Sequence, residues 1–367
     1  MIPFIDLKAQ YSALSDEINS GIKKVLEHGQ FIMGPEVREL EAALEEYVGV
    51  EDCITVSSGT DALLISLMAV GVKPGDEVIT TPFTFVSTAE VIVRLGAIPV
   101  FVDIEPDTCN IDAQLIERRI TSRTKAIVPV SLFGQTADMS AINKIASGCS
   151  IPVIEDAAQS FGAKYGGNYS CGLSTIGCTS FFPSKSLGCY GDGGAIFTSN
   201  SSVASAARSI RVHGQSKKYQ YDRLGVGGRM DTIQCAVVLA KLKRFEWELE
   251  RRRRVAANYQ MLLDECSMVT PLVVRQDRES CFSQFSIITP DRDSLADSLK
   301  KSGIPTAVYY PTPLDRYSPY AAFASAEHPS LNASRISDNI LSLPMGPYLS
   351  ERDQMFIVDS IVNFYAS

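Results

Sequence analysis

Short apolar, β-branched runs alternate with helical patterns from about residue 35 to about residue 200. Glu77–Thr80, Ile98–Asp103, Ala126–Ser131, Ile151–Glu155, Cys178–Phe182 and Ala195–Thr198 predict strands. Gly34–Val48, Thr60–Val70 and Ala137–Ser147 predict helices between them. Turn residues separate the pieces at Lys73-Pro74-Gly75-Asp76, Glu105-Pro106-Asp107 and Phe133-Gly134. Strands that alternate with helices imply an α/β fold, a doubly wound and largely parallel sheet with both faces covered.

Residues 213–229 break this rhythm. They are polar and glycine-rich, and His213, Lys217, Lys218, Arg223 and Arg229 are opposed only by Asp222. A loop this long in a compact protein is usually functional or disordered. One long helix is predicted next, from Asp231 to about Leu263. Its Arg251–Arg254 run could serve nucleic acid. The i,i+4 spacings of Glu248 with Arg252 and Glu250 with Arg254 favour a solvated helix face instead. In the last hundred residues Phe282–Thr289 and Pro305–Tyr310 predict strands and Ser294–Ser302 a helix, which makes a smaller α+β domain. The expected division is a large domain over 1–245 and a small one over 246–367.

Composition narrows the function. With 45% hydrophobic and 21% charged residues the chain of 367 residues reads as an ordinary globular protein. A net charge of −8 argues against a nucleic-acid-binding surface. The nine cysteines form no C-x-x-C pair, and their odd number points to reduced thiols in a cytoplasm. His28, His213 and His328 lie far apart, so no histidine-based metal site is expected. The start, MIPFIDLKAQ, has no signal pattern, and the longest nearly apolar stretch, Ala62–Val72, is too short to span a bilayer. A cytoplasmic protein without a membrane segment is expected.

Four features carry candidate chemistry. Ser57-Ser58-Gly59-Thr60-Asp61-Ala62 places small residues at a helix start, which suits either an ordinary cap or a phosphate seat. Val153-Ile154-Glu155-Asp156 is a buried-looking strand that ends in acids, at the sheet edge where open α/β proteins bind ligands. Asp156 there could cap a helix or hold a pyridinium nitrogen protonated. Thr179–Lys185 puts a lysine after a strand and a proline, among apolar and small residues. Partial burial would lower its pKa and free the amine to attack a carbonyl; a lysine that snorkels to water is the other reading. Gly191-Asp192-Gly193-Gly194 allows a sharp turn or a close backbone approach, and no P-loop motif is present. Together with Phe85 as an aromatic to lie on a ring, these features are what a pyridoxal phosphate site needs.

On these residues the chain resembles the DegT/DnrJ/EryC1/StrS sugar aminotransferases. The resemblance runs through Phe4–Leu7, Gly29–Glu36, Ser58–Ala62, Pro74–Ile79, Glu155–Gln159, Phe182–Lys185, Gly191–Gly194 and Tyr310-Pro311. It implies fold type I (aspartate aminotransferase-like), pyridoxal 5'-phosphate cycling with pyridoxamine phosphate, a nucleotide-sugar substrate and an amino-acid donor, glutamate. It also implies a homodimer with shared active sites. Lys185 matches the cofactor-linking lysine, Asp156 the partner of the ring nitrogen, Gln159 a residue near the ring hydroxyl and Phe85 the stacking aromatic. Gly59, Thr60 and Ser180 match phosphate ligands. His213, Arg229, Tyr309 and Tyr310 fall in segments that contact the sugar nucleotide. Pro129–Leu132 and Thr179–Thr198 resemble most those members that act on a UDP-linked 3-keto uronate for surface polysaccharide (O-antigen). A 4-keto or 6-deoxy-3-keto sugar, or a non-catalytic regulatory role, are the alternatives. The family often has Asn at Gly227 and His at Tyr309 and Gly346, so these positions depart from its pattern.

Overall fold

The computed structural model describes residues 2–366. Its central sheet takes seven strands: β1 (Asp52–Val56), β2 (Glu77–Thr80), β3 (Ile98–Phe101), β4 (Thr124–Ile127), β5 (Ile154–Asp156), β6 (Ile176–Ser180) and β7 (Gly194–Thr198). Two hydrogen-bonded groups, β3-β2-β4 and β5-β6-β7-β1, are joined by parallel bridges between Ile127 and Val153 and between Val130 and Asp156. The pairs β2–β3, β2–β4 and β5–β6 are parallel, whereas β7 runs antiparallel to both β1 and β6. All six predicted strands are present, Glu77–Thr80 with the predicted ends and the other five with shifted ends, and β1 is added to them.

The helices explain why these strands are apolar on both faces. They are α1 (Leu7–His28), α2 (Pro35–Val48), α3 (Gly59–Ala69), α4 (Ser87–Arg94), α5 (Met139–Gly148), α6 (Ser201–Ile210), α7 (Thr232–Leu242) and α8 (Phe245–Leu263). Leu63, Ile65 and Leu67 of α3 and Ala207 and Ile210 of α6 pack with Ile54, Val56 and Ile196. On the opposite face Leu40 and Leu44 of α2 and Val238 of α7 pack with Cys53, Ala195 and Phe197. Neighbouring strand residues thus enter different cores, as the two-residue strand period requires. Each fully buried Leu, Ile or Phe contributes about 1.5–3 kcal/mol.

Three expectations are corrected. The helix predicted from Asp231 to Leu263 is two helices, broken at Lys243 and Arg244. The break redirects the axis so that Phe245 stacks on Phe161, with ring centroids 5.6 Å apart. Periodicity continues on either side and cannot reveal such a turn. Glu248 and Arg252 do not lie on a solvated face: both are buried and form no ion pair with each other. Glu248 instead accepts hydrogen bonds from Gln10 and Tyr348. Glu250 and Arg254 are the exposed i,i+4 pair. Pro305–Tyr310 is no strand, for only Ala307 bridges, to Ser342. The small C-terminal sheet is Thr270–Pro271, Phe285–Ile288 and Ile340–Leu343.

The helix α8 belongs to both cores. Phe245 and Leu249 join the α2 and α7 layer, and Val255, Tyr259 and Leu263 join Phe285, Leu341 and Leu343 of the C-terminal sheet. All nine cysteines are free. No described helix is long and apolar enough to cross a membrane.

Candidate active site

The C-terminal ends of β5 and β6 and the turn after β1 meet at one edge of the sheet, the edge where open α/β folds bind ligands. Because β7 is antiparallel, it starts there, at Gly194. A Cβ on Gly194 would fall 2.6 Å from the Ser58 backbone, so glycine is what lets β7 begin against the start of α3. Gly59 is constrained likewise, since its Cβ would lie 2.7 Å from the Ser180 Cβ. Ser58 caps α3 by accepting from the Asp61 N–H at 3.0 Å. The first-turn amides of Gly59 and Thr60 have no partner within the helix, and they sit at its positive end. Gly59, Thr60 and Ser180 are thus brought together as an amide-lined cradle, and capping by Ser58 is compatible with an anion bound there.

Asp156 ends β5 and is only 5% exposed. No helix follows it, so the reading of Asp156 as a helix cap is wrong. Its Oδ1 accepts from the Ala158 N–H at 3.2 Å and its Oδ2 from the Thr88 hydroxyl at 2.8 Å. Strand alternation sends the neighbouring Glu155 elsewhere, where it accepts from Ser131, Ser170 and the Cys171 N–H. Burial pushes the Asp156 pKa up, against the hydrogen bonds from Thr88 and Ala158 and the charge of Lys185. Lys185 follows β6 in a turn closed by its own N–H to the Phe182 carbonyl at 2.9 Å. It is partly buried. Desolvation pulls its pKa down, with Asp156 opposing. Burial therefore favours the uncharged, nucleophilic amine of Lys185.

Gln159 is held at both ends of its amide. Its Oε1 accepts from the Phe133 N–H at 3.1 Å, and its Nε2 donates to the Tyr310 hydroxyl at 2.9 Å. Tyr310 is packed edge-on to Phe83 at 6.0 Å, so the segment predicted as a strand instead carries a tyrosine into the site. Tyr309 stands at the rim beside Phe4. Phe85 lies in the turn before α4, 57% exposed. The loop 213–229 reaches the site through its last residues: the Gly228 carbonyl accepts from the Ser57 N–H at 2.9 Å. His213 is exposed and donates its N–H to the Val226 carbonyl. Arg229 is half-buried and has no acidic partner among the described residues. Sequence reasoning missed Thr88 and Ser87; Ser87 pairs its hydroxyl with that of Thr60 at 2.9 Å. Hydroxyls on a short helix carry no signal of such distant partners.

Residues 12–362 match the model of the DegT/DnrJ/EryC1/StrS aminotransferase family. The chain belongs to this family. It is 52% identical to UDP-2-acetamido-2-deoxy-3-oxo-D-glucuronate aminotransferase of Pseudomonas aeruginosa, over 99% of this chain and 100% of the relative. The crystal structure of DesV from S. venezuelae, in complex with a ketimine intermediate, superposes with a TM-score of 0.97 at 34% identity, over 100% of this chain and 99% of that one. NtdA from Bacillus subtilis, with bound cofactor PMP, does so with a TM-score of 0.88 at 30% identity, over 96% and 82%. The mixed α/β architecture is that of fold type I within this family.

Proposed function

We propose that this member of the family is a pyridoxal-phosphate-dependent aminotransferase that transfers the amine of glutamate to the keto carbon of UDP-2-acetamido-2-deoxy-3-oxo-glucuronate, for surface polysaccharide (O-antigen) synthesis in the cytoplasm. The observation that carries the chemistry is the meeting of a partly buried Lys185 and a buried Asp156 at one sheet edge, beside the amide-lined cradle of Gly59, Thr60 and Ser180. The match over the full length of the Pseudomonas enzyme supports the substrate.

The residues fit the cofactor. The cradle, open because Gly59 lacks a Cβ, suits its phosphate, and Phe85 offers a ring face. Asp156 offers a buried carboxylate to the ring nitrogen, and Gln159 a fixed amide near the ring hydroxyl. When bound, the cofactor supplies a reactive carbonyl and an electron sink. Lys185 supplies the amine that holds this carbonyl, and then the base that moves a proton at the substrate carbon, a role its lowered pKa serves. Tyr310, Tyr309, His213 and Arg229 are assigned to the sugar nucleotide. A panel of UDP- and dTDP-amino sugars offered with 2-oxoglutarate tests the reading in reverse. Glutamate should form with the 3-amino uronate; formation only with 4-amino or 6-deoxy sugars would overturn the substrate, and a protein that stays colourless with added cofactor would overturn the enzyme.

A homodimer with shared sites belongs to the same proposal. Phe31, Ile32, Met33, Phe85 and Phe182 are exposed large apolar side chains, and the last two adjoin the site. A second copy of the chain would cover them. Sedimentation should give twice the chain mass, and a monomer at working concentration would refute it.

Arg229 lacks an acidic partner of its own, and a planar guanidinium suits a carboxylate. Arg229→Lys is expected to raise KM for the uronate by about tenfold, and far less for its uncharged counterpart. Equal losses on the two substrates would show that Arg229 does not read that carboxylate.

Gly227 tests the shared site. Its backbone is outside the left-handed region, so a side chain meets no backbone strain; a Cβ would lie 3.1 Å from the exposed His213 ring, which must yield slightly. Gly227→Asn is expected to tighten cofactor binding by about two- to tenfold, by restoring a hydrogen bond to the phosphate in the neighbour's site. Titration of both apoproteins checks this, and weaker binding by a folded, dimeric variant would exclude it.

A further inference from the structure

One helical turn touches three parts of the site. Phe85, Ser87 and Thr88 stand within four residues where the chain leaves the β2 edge and enters α4. Thr88 is buried and donates to Asp156 Oδ2 at 2.8 Å. Ser87 is buried and bonded to the Thr60 hydroxyl. Phe85 is more than half exposed. We propose that this turn is a positioning element for the cofactor, in which the Thr88 hydroxyl orients Asp156 toward the ring nitrogen and Ser87 ties the same turn to Thr60 at the phosphate end. The proposal rests on the reading of the protein as a pyridoxal-phosphate enzyme.

Hydrogen-bond direction supports it. A carboxylate only accepts, so Thr88 spends its single proton on Asp156. The carbonyl of Phe85, at 3.4 Å, is the more distant acceptor. The Thr84 hydroxyl, 3.2 Å from that of Thr88, must then donate into the Thr88 oxygen. The chain Thr84–Thr88–Asp156 thus has one sense, and each donor polarises the next. Together with Ala158 it occupies one lone pair on each Asp156 oxygen and leaves the carboxylate a single orientation.

The same bond favours the ionised form of Asp156. Burial favours the neutral carboxyl, while Thr88, Ala158 and Lys185 favour the charged one. The other titratable groups near enough to feel the Asp156 charge are acids: Tyr310, Cys178, Cys171 and, on the opposite face of β5, Glu155. None of them favours its charge. Once Lys185 is engaged by the cofactor's carbonyl, Thr88 and Ala158 remain. Without Thr88 the shared proton should move from the ring nitrogen toward Asp156.

The test compares Thr88→Val, which keeps the shape and loses the hydroxyl, with Thr88→Ser, which keeps the hydroxyl. Cofactor dissociation constants, the pH midpoint of the bound cofactor's visible band, and kcat are measured on each holoenzyme, with melting of the apoproteins as a fold control. Thr88→Val is expected to weaken cofactor binding and lower kcat by about tenfold each, and to move the midpoint to higher pH, because less positive charge remains on the ring. Thr88→Ser should return all three to within about twofold of native. A Thr88→Val enzyme with native affinity and midpoint would overturn the proposal. If Thr88→Val does not fold, Thr88→Ser is set against Thr88→Ala, and equal losses in these two would overturn it as well. A native protein that shows no visible band would overturn both this proposal and the reading beneath it, whereas a normal native band with a silent Thr88→Val overturns the proposal alone.

Discussion

Lys185→Ala is expected to lower turnover by at least about three orders of magnitude, on the order of 4 kcal/mol in the barrier. Lys185 carries two tasks, holding the cofactor's carbonyl and moving the proton at the substrate carbon, and alanine can do neither. Its place beyond β6 is enforced by local structure: the Phe181 N–H donates to Gly193 and the Cys189 N–H to Phe181, so the lysine turn is closed on both sides. No neighbouring lysine lies in that turn to take over. The cofactor itself should still bind, because the cradle of Gly59, Thr60 and Ser180 and the carboxylate of Asp156 are intact. Reduction with borohydride followed by mass measurement should label the native chain and leave the variant unlabelled. Turnover above about a tenth of the native rate would remove Lys185 from both roles.

Asp156→Asn is expected to cost at least about two orders of magnitude in kcat, roughly 3 kcal/mol. The amide is nearly isosteric, and its oxygen can still accept from the Ala158 N–H while its nitrogen faces a Thr88 hydroxyl turned to accept. Geometry is therefore conserved and charge is lost. A neutral amide cannot hold the ring nitrogen protonated, so the electron sink weakens. Stability should move the other way. Burial already pushes the Asp156 pKa up, which means that the ionised carboxylate is costly in the apoprotein, and an uncharged amide removes that cost. The apo variant should melt no lower than native apoprotein. The sign also fixes a pH trend: with its folded pKa raised, the Asp156 carboxylate destabilises the apoprotein once it is ionised, and the variant should lose this dependence. Native kinetics in Asp156→Asn would reduce Asp156 to a fold residue.

These two residues were legible because each belongs to a short local pattern. An apolar strand that ends in Glu155-Asp156 places an acid at the sheet edge once the fold is doubly wound, and Phe182-Pro183-Ser184-Lys185 does the same for the amine one strand along. Thr88 lies 68 residues from Asp156, and their contact depends on β2, β4 and β5 standing side by side. Gln159 and Tyr310, 151 residues apart, meet only because the C-terminal segment folds back over Phe83. Glu248 and Arg252 have the spacing of a surface pair, and only the packing of α8 against the N-terminal helix and the C-terminal region buries them.

The sequence by itself determined the alternation of strands and helices, the parallel bias of the sheet and the glycines at tight approaches, since propensity, hydrophobic period and turn chemistry act over a few residues. It also determined which side chains could do chemistry. Tertiary structure decided which of them meet. The antiparallel entry of β7 brings Gly194 against Ser58, and the neighbouring strand ends bring Asp156 toward Lys185. It set the direction of their pKa shifts as well, because desolvation depends on everything packed around a group and has no counterpart in the order of the residues.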